Sequence, residues 1–121
     1  MGHSRTVVVY ADDDDLVRET IAAGLSLEGW YVQTCSNGAE AIVLCERLQP
    51  AAVLLDLDMP DLDGYEAATR LRHGAGCDPA RIVALTGRAI EGVRERALSS
   101  GFDAILFKPV SMAVLSGALA A

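Results

Sequence analysis

The chain has 121 residues, 51% of them apolar, and its 10 basic and 17 acidic side chains give a formal net charge of −7. That length holds one self-sufficient core and leaves no room for a second catalytic or nucleic-acid-reading unit. The acidic balance argues against a face that neutralises phosphates, and the longest apolar run falls far short of the roughly 20 residues of a membrane span. The opening Met1-Gly2-His3-Ser4-Arg5 lacks the apolar core of a signal peptide and is expected to be a disordered or tag-like leader to one domain over 6–121. A cytoplasmic chain is expected, with no direct nucleic-acid binding and no membrane insertion. Cys35, Cys45 and Cys77 are odd in number and show no C-x-x-C spacing, which points to reduced structural thiols rather than to disulfides or zinc.

Thr6-Val7-Val8-Val9-Tyr10-Ala11 is β-branched and apolar and predicts a central strand that stops where Asp12-Asp13-Asp14-Asp15 begins. A solvated charge run is the ordinary reading of four acids, but here the run follows a strand directly. From Leu16 the apolar residues recur with a helical period to about Gly29, and Asp14 or Asp15 is available as N-cap. Trp30-Tyr31-Val32-Gln33-Thr34 predicts a more exposed strand, closed by the turn residues Ser36-Asn37-Gly38. A second helix runs from Ala39 through Leu48 until Pro50 ends it.

Ala51-Ala52-Val53-Leu54-Leu55 is too short for a helix and suits a strand buried on both faces, ending at Asp56 with Pro60 beyond. After the breaker-rich loop 59–64, a helix runs through Tyr65, Ala68 and Leu71, and 73–79 form the next connection. Arg81-Ile82-Val83-Ala84-Leu85 is another buried strand and ends in Thr86-Gly87. A helix is expected over Ile90 to Ser100, closed by Gly101. Ala104-Ile105-Leu106-Phe107 is the last strand, stopping at Lys108-Pro109, and Ser111 to Ala121 reads as a final helix. Five strand–helix units with short connections predict a single doubly wound α/β domain, (βα)5, with helices on both faces of a parallel sheet.

In isolation Asp56 reads equally well as a helix cap. The residues that follow the strong strands decide: Asp12 and Asp13, Asp56, Thr86 and Lys108 all fall on one rim, because every strand of a parallel sheet points its carboxyl end the same way. Crowded carboxylates repel one another unless a cation intervenes, and all-oxygen ligands with room for water suit Mg²⁺, or Mn²⁺. The amine and hydroxyl have no role in a bare metal site but fit a phosphoryl group, with Lys108 as point charge, Thr86 as donor and the Gly87 backbone amide able to approach closely. Asp56, central on a buried strand, is the candidate nucleophile for an acyl phosphate.

These residues resemble the receiver domain of two-component response regulators over about Thr6 to Leu119: the acidic pair, Leu-Leu-Asp56-Leu-Asp58-Met-Pro with Asp63-Gly64 downstream, Ala-Leu-Thr86-Gly87, and Phe-Lys108-Pro109. The resemblance implies a flavodoxin-like sheet of order 2-1-3-4-5. It further implies that Asp56 takes phosphate from the phosphohistidine of a histidine kinase or phosphotransfer domain, so that the chain catalyses its own phosphorylation and dephosphorylation without turning over substrate. By that analogy Asp13, Asp56 and the backbone carbonyl of Asp58 hold the metal, and Asp12 acts largely through water. Lys108 pairs with Asp56 beforehand and then with the phosphate, Thr86 swings toward the phosphate as the switch, and Lys108-Pro109 is a cis peptide. Asp12 and Asp13 are taken as the metal pair because Asp14 and Asp15 are needed at the helix start.

Three features depart from the family's usual pattern or tune it. Ile105 stands where the family carries a rotating aromatic, so either the change on the fourth-helix face is expected to be smaller than usual or the signal passes through another element. Asp58 and Arg88, two residues beyond Asp56 and Thr86, occupy positions that tune the acyl-phosphate lifetime. Phosphorylation-dependent self-association is a further expectation, and the chain is expected to be a stand-alone regulator, a phosphorelay intermediate or part of a larger protein such as a hybrid kinase. Two other functions compete. Asp56-x-Asp58 also resembles the nucleophile motif of haloacid-dehalogenase phosphatases, but Pro60 stands where those carry Thr or Val and there is no room for a cap. A pseudo-receiver interaction module is opposed by the intact Asp13, Asp56, Thr86 and Lys108. His3, His73, Trp30, Tyr31, Tyr65, Phe102 and Phe107 are read as surface, core or interface residues.

Overall fold

The computed structural model describes residues 6–60, 62–74, 76–79 and 81–121, so the expected leader over 1–5 lies outside the described residues. In chain order the elements are β1 (Val7–Ala11), α1 (Asp15–Leu27), β2 (Tyr31–Cys35), α2 (Gly38–Leu48), β3 (Ala52–Asp56), α3 (Gly64–Arg72), β4 (Arg81–Thr86), α4 (Val93–Ser100), β5 (Ala104–Phe107) and α5 (Met112–Ala120). The strands form one parallel sheet of order β2-β1-β3-β4-β5, the expected doubly wound α/β arrangement.

Alternation along the strands divides the core between the two faces of the sheet. Val9, Ala11, Val53, Leu55, Ile82, Ala84 and Ile105 pack toward Ala41, Cys45, Ala67, Leu71, Val93 and Ala97 of α2, α3 and α4. Val8, Tyr10, Leu54, Val83 and Leu85 pack toward Leu25 of α1 and Leu115 and Leu119 of α5. β3 is buried at every residue, whereas β2 at the sheet edge is exposed or half-buried throughout. Cys45 and Cys77 are buried free thiols, and burial pushes both above the ordinary range, which leaves them unreactive.

Caps set where the helices start relative to the rim. Asp14 caps α1, accepting from Val17 N at 3.0 Å, while Asp15 pairs with Arg18 in the first turn. Asn37 and Asp63 do the same for α2 and α3, accepting from Glu40 N and Glu66 N. The fourth helix differs from the sequence expectation: it begins at Val93 rather than Ile90, because Gly92 takes a φ of 83° that an α-helix cannot accommodate, and no side chain caps it. Ile90 consequently stands 62% exposed in the loop.

α3 lies against the backbone of the Asp56 strand end with no space for a side chain at its first residue. A Cβ on Gly64 would lie 2.5 Å from the Asp56 carbonyl oxygen and 3.0 Å from Leu57 Cα. Gly64→Ala is therefore expected to destabilise the fold by about 1–3 kcal/mol through overpacking. Urea unfolding measures the loss, and the amide resonances of Asp56 and Leu57 are expected to shift with it.

Candidate functional site

The rim at the carboxyl ends of β1, β3, β4 and β5 gathers three buried polar residues: Asp12 at 0%, Asp56 at 3% and Thr86 at 1% exposure. Asp56 and Thr86 are the last residues of their strands, Asp12 follows β1 directly, and Lys108 follows β5 directly. The ladders extend past the strands, with Asp12 N donating to Cys35 O, Leu57 N to Leu85 O and Lys108 N to Thr86 O, so the rim is held as firmly as the sheet. Among the described residues, every buried side-chain nitrogen or oxygen has a hydrogen-bond partner.

Asp12 is the most constrained group. Its Oδ1 accepts from Asp14 N at 2.9 Å, and its Oδ2 accepts from the Tyr10 hydroxyl at 2.7 Å and from Lys108 Nζ at 3.2 Å. Lys108 lies farther from Asp56, at 3.6 Å from Oδ2, so in this state the lysine leans toward Asp12 rather than toward the central acid. Asp56 Oδ1 accepts from Asp58 N at 3.0 Å. The Lys108–Pro109 peptide is cis.

Carboxylate oxygens of Asp12, Asp13 and Asp56 lie within 4.8 Å of one another. An all-oxygen set of this size, with Asp13 exposed to solvent, fits a hard divalent cation that keeps several waters. Asp56 responds first to its burial and then to its neighbours. Burial pushes its carboxyl from 3.8 up to about 6, Asp12 adds to the rise, and the Asp58 amide and Lys108 oppose it. Burial pulls the Lys108 ammonium down, but Asp56 and then Asp12 outweigh it and hold the amine above its ordinary value.

Beside Asp56, the Thr86 hydroxyl donates to Asp58 Oδ2 at 3.1 Å and accepts from Arg88 N at 3.0 Å. Arg88 Nε stands 3.8 Å from Asp58 Oδ1, an exposed pair of little energetic weight. Gly87 is exposed, and a Cβ there would meet nothing within 4 Å. Ile105 is buried at 5% in the same cluster as Val93 and Ala97 of α4. His73 is exposed at the end of α3, and Trp30 is buried with its Nε1 donating to Ser116 Oγ, so neither belongs to the rim.

Tyr10 is the site residue that sequence reasoning passed over as part of a strand. The available signal was a phenol in a branched apolar run, two residues before the first acid and hence on the same side of the strand. Burial, then Asp12, push its phenol up, so it remains a donor.

A family model for the response regulator receiver domain matches residues 8–120. This chain belongs to that family. Receiver domains are phosphoryl-accepting signalling domains of two-component systems, and the family binds Mg²⁺ at an acidic pocket. The response regulator MprA of Mycobacterium leprae is 36% identical over 105 residues, which are 87% of this chain and 45% of that protein, so the chain spans just under half the length of this relative. The receiver domain of the sensor histidine kinase PA1611 from Pseudomonas aeruginosa, solved with a magnesium ion in its active-site cleft, is 30% identical with a TM-score of 0.83, covering 96% of this chain and 95% of that one. A response regulator from Burkholderia pseudomallei, solved with a phosphorylated aspartic acid and a calcium ion, is 27% identical with a TM-score of 0.85, covering 94% of this chain and 66% of that one. No helix among the described residues is long and apolar enough to cross a membrane.

Two outcomes follow from the buried charge. The folded chain holds the Asp56 proton more tightly than the unfolded chain does, so this group's contribution favours folding below about pH 4 and is lost as pH rises through about 6. Asp56→Asn is expected to abolish that loss and to stabilise the metal-free domain at neutral pH by on the order of 2 kcal/mol. Urea unfolding of both proteins at mildly acidic and neutral pH checks the difference. Tyr10→Phe leaves Asp12 Oδ2 with Lys108 alone and is expected to cost about 1–2 kcal/mol in the same measurement.

Proposed function

We propose that this chain is a cytoplasmic, Mg²⁺-dependent phospho-acceptor in which Asp56 takes a phosphoryl group from the phosphohistidine of a histidine kinase or phosphotransfer domain. The observation that carries the reading is Asp56 itself: a buried strand-end carboxylate clustered with Asp12 and Asp13 and facing Lys108 at 3.6 Å. The phosphorylated aspartic acid of the Burkholderia regulator and the magnesium of the PA1611 receiver support it.

Asp13, Asp56 and the backbone carbonyl of Asp58 would hold Mg²⁺, or Mn²⁺. Asp12, with both carboxylate oxygens already accepting hydrogen bonds, would act through water. The ion, when bound, offsets the charge of carboxylates and phosphoryl oxygens. Asp56 Oδ forms the new O–P bond while the P–N bond to the donor imidazole breaks, leaving its electron pair on nitrogen. Lys108 turns from Asp12 toward the phosphoryl oxygens, Gly87 N donates to one of them, and the Thr86 hydroxyl to another. With a carboxyl at about 6, Asp56 is mostly ionised at neutral pH and ready as nucleophile.

Asp58 and Arg88, standing at the mouth of the pocket, tune the lifetime of the acyl phosphate. Ile105, already buried beneath α4, limits the switch on that face, and self-association after phosphorylation is part of the same reading. An apolar cleft of about 500 Å³ beside Lys108, lined by Leu16, Val17, Ile21, Pro109 and Val110, offers the phosphohistidine-bearing partner a surface next to the acceptor. The domain proposed over 6–121 performs one transfer per phosphoryl group and is not a turnover enzyme.

Incubation with radiolabelled acetyl phosphate tests the assignment. Label is expected on the wild type only with Mg²⁺ present, none on Asp56→Asn, and at least about tenfold slower labelling on Lys108→Ala. Label that survives Asp56→Asn would overturn the acceptor assignment.

A further inference from the structure

We propose that Asp58 is a positioning residue whose side chain latches the Thr86 hydroxyl in the unphosphorylated chain, so that phosphorylation of Asp56 has to win that hydroxyl from it. The inference rests on the reading of Asp56 as acceptor and goes beyond it by assigning the Asp58 carboxylate a partner and a direction of effect.

Thr86 is buried at the end of β4 and has one hydroxyl proton to give. That proton goes to Asp58 Oδ2 at 3.1 Å, while the oxygen accepts Arg88 N at 3.0 Å, so both functions of the hydroxyl are occupied. The acceptor is a carboxylate, which makes the bond stronger than one to a neutral oxygen. Arg88 Nε stands 3.8 Å from the other carboxylate oxygen, an exposed contact that adds little to the latch. A phosphoryl oxygen on Asp56 competes for the same proton, and the two arrangements exclude each other. The resting equilibrium therefore favours the latched arrangement by whatever the Asp58 bond contributes, and the apparent affinity for any phosphoryl group falls by the same factor.

The latch differs from simple repulsion between Asp58 and phosphate in one measurable way: its effect passes through Thr86. Beryllofluoride serves as the phosphoryl mimic, with binding followed by titration calorimetry at saturating Mg²⁺ and the Mg²⁺ affinity of each variant measured separately. Asp58→Ala is expected to tighten beryllofluoride binding roughly three- to tenfold, and Asp58→Asn, which keeps a neutral acceptor, to tighten it less. In a Thr86→Ala chain, Asp58→Ala is expected to change binding by less than about twofold, because the hydroxyl it would release is gone. A gain of full size in the Thr86→Ala chain would identify charge relief as the cause and overturn the latch, as would no gain in the Asp58→Ala chain while the wild type binds. Absence of beryllofluoride binding by the wild type would remove the Asp56 reading and the latch together.

Discussion

The site is organised by an excess of negative charge held out of water. Asp12 and Asp56 are both almost fully buried, Asp13 stands beside them, and Lys108 is the cation set among them. Two charges about 4 Å apart interact by roughly 4 kcal/mol at the effective dielectric of a protein rim, so one ammonium cannot neutralise three carboxylates. The polypeptide meets the remainder with fixed dipoles: the Tyr10 hydroxyl and Asp14 amide on Asp12, and the Asp58 amide on Asp56. Burial first, and then the uncompensated charge of Asp12, raise the Asp56 carboxyl, and the same crowding suits the pocket to a divalent cation. Reactivity and instability thus share one cause.

The sheet supplies the rigidity that makes such crowding tolerable. β3 is buried at every position and paired on both sides, with Ala11 against Leu55 on β1 and Leu85 against Asp56 on β4. Asp56 cannot move away from its neighbours without breaking a ladder bond, and the helices tighten the same point from outside. Gly64 brings the start of α3 against the Asp56 carbonyl, and Asp14 and Asp63 cap α1 and α3 on either side of the rim. The repulsion is therefore borne by the whole fold rather than relieved by local displacement.

Much of this architecture was legible in the sequence because it follows from where apolar runs stop. Val7–Ala11, Ala52–Leu55 and Ile82–Leu85 are unmistakably buried strands, and a parallel sheet leaves no choice about which way their polar successors face. Asp12, Asp56, Thr86 and Lys108 could be placed on one rim by that argument alone. Side-chain pairing could not, since strand order brings groups together without saying which accepts from which. Lys108 lies nearer Asp12 than Asp56, Tyr10 reaches Asp12 from within the core, and Thr86 donates to Asp58. The start of α4 was misplaced for a local reason: Ile90 fits a helical apolar period, and only the backbone shows that Gly92 has a positive φ.

The consequences of changing the charge at Asp56 are directed by what is free to move around it. Ile105 is aliphatic, buried at 5% and packed among Val93 and Ala97, so it lacks the polar tip that would stabilise it outside the core. Exposed cations on this side include arginines of the segment that follows β4. Arg88 faces Asp58, Arg94 lies 5.8 Å over the Phe107 ring and Arg96 lies 3.9 Å over the Tyr65 ring, and all three are exposed. Each is held by a contact weak enough to be exchanged for another, unlike a buried side chain whose departure would leave a cavity. The anion proposed at Asp56 would act on these cations through space, while Thr86 is joined to the same segment by its bond to the Arg88 amide. Exchange of these exposed arginine contacts costs less than repacking around Ile105, because it leaves no cavity.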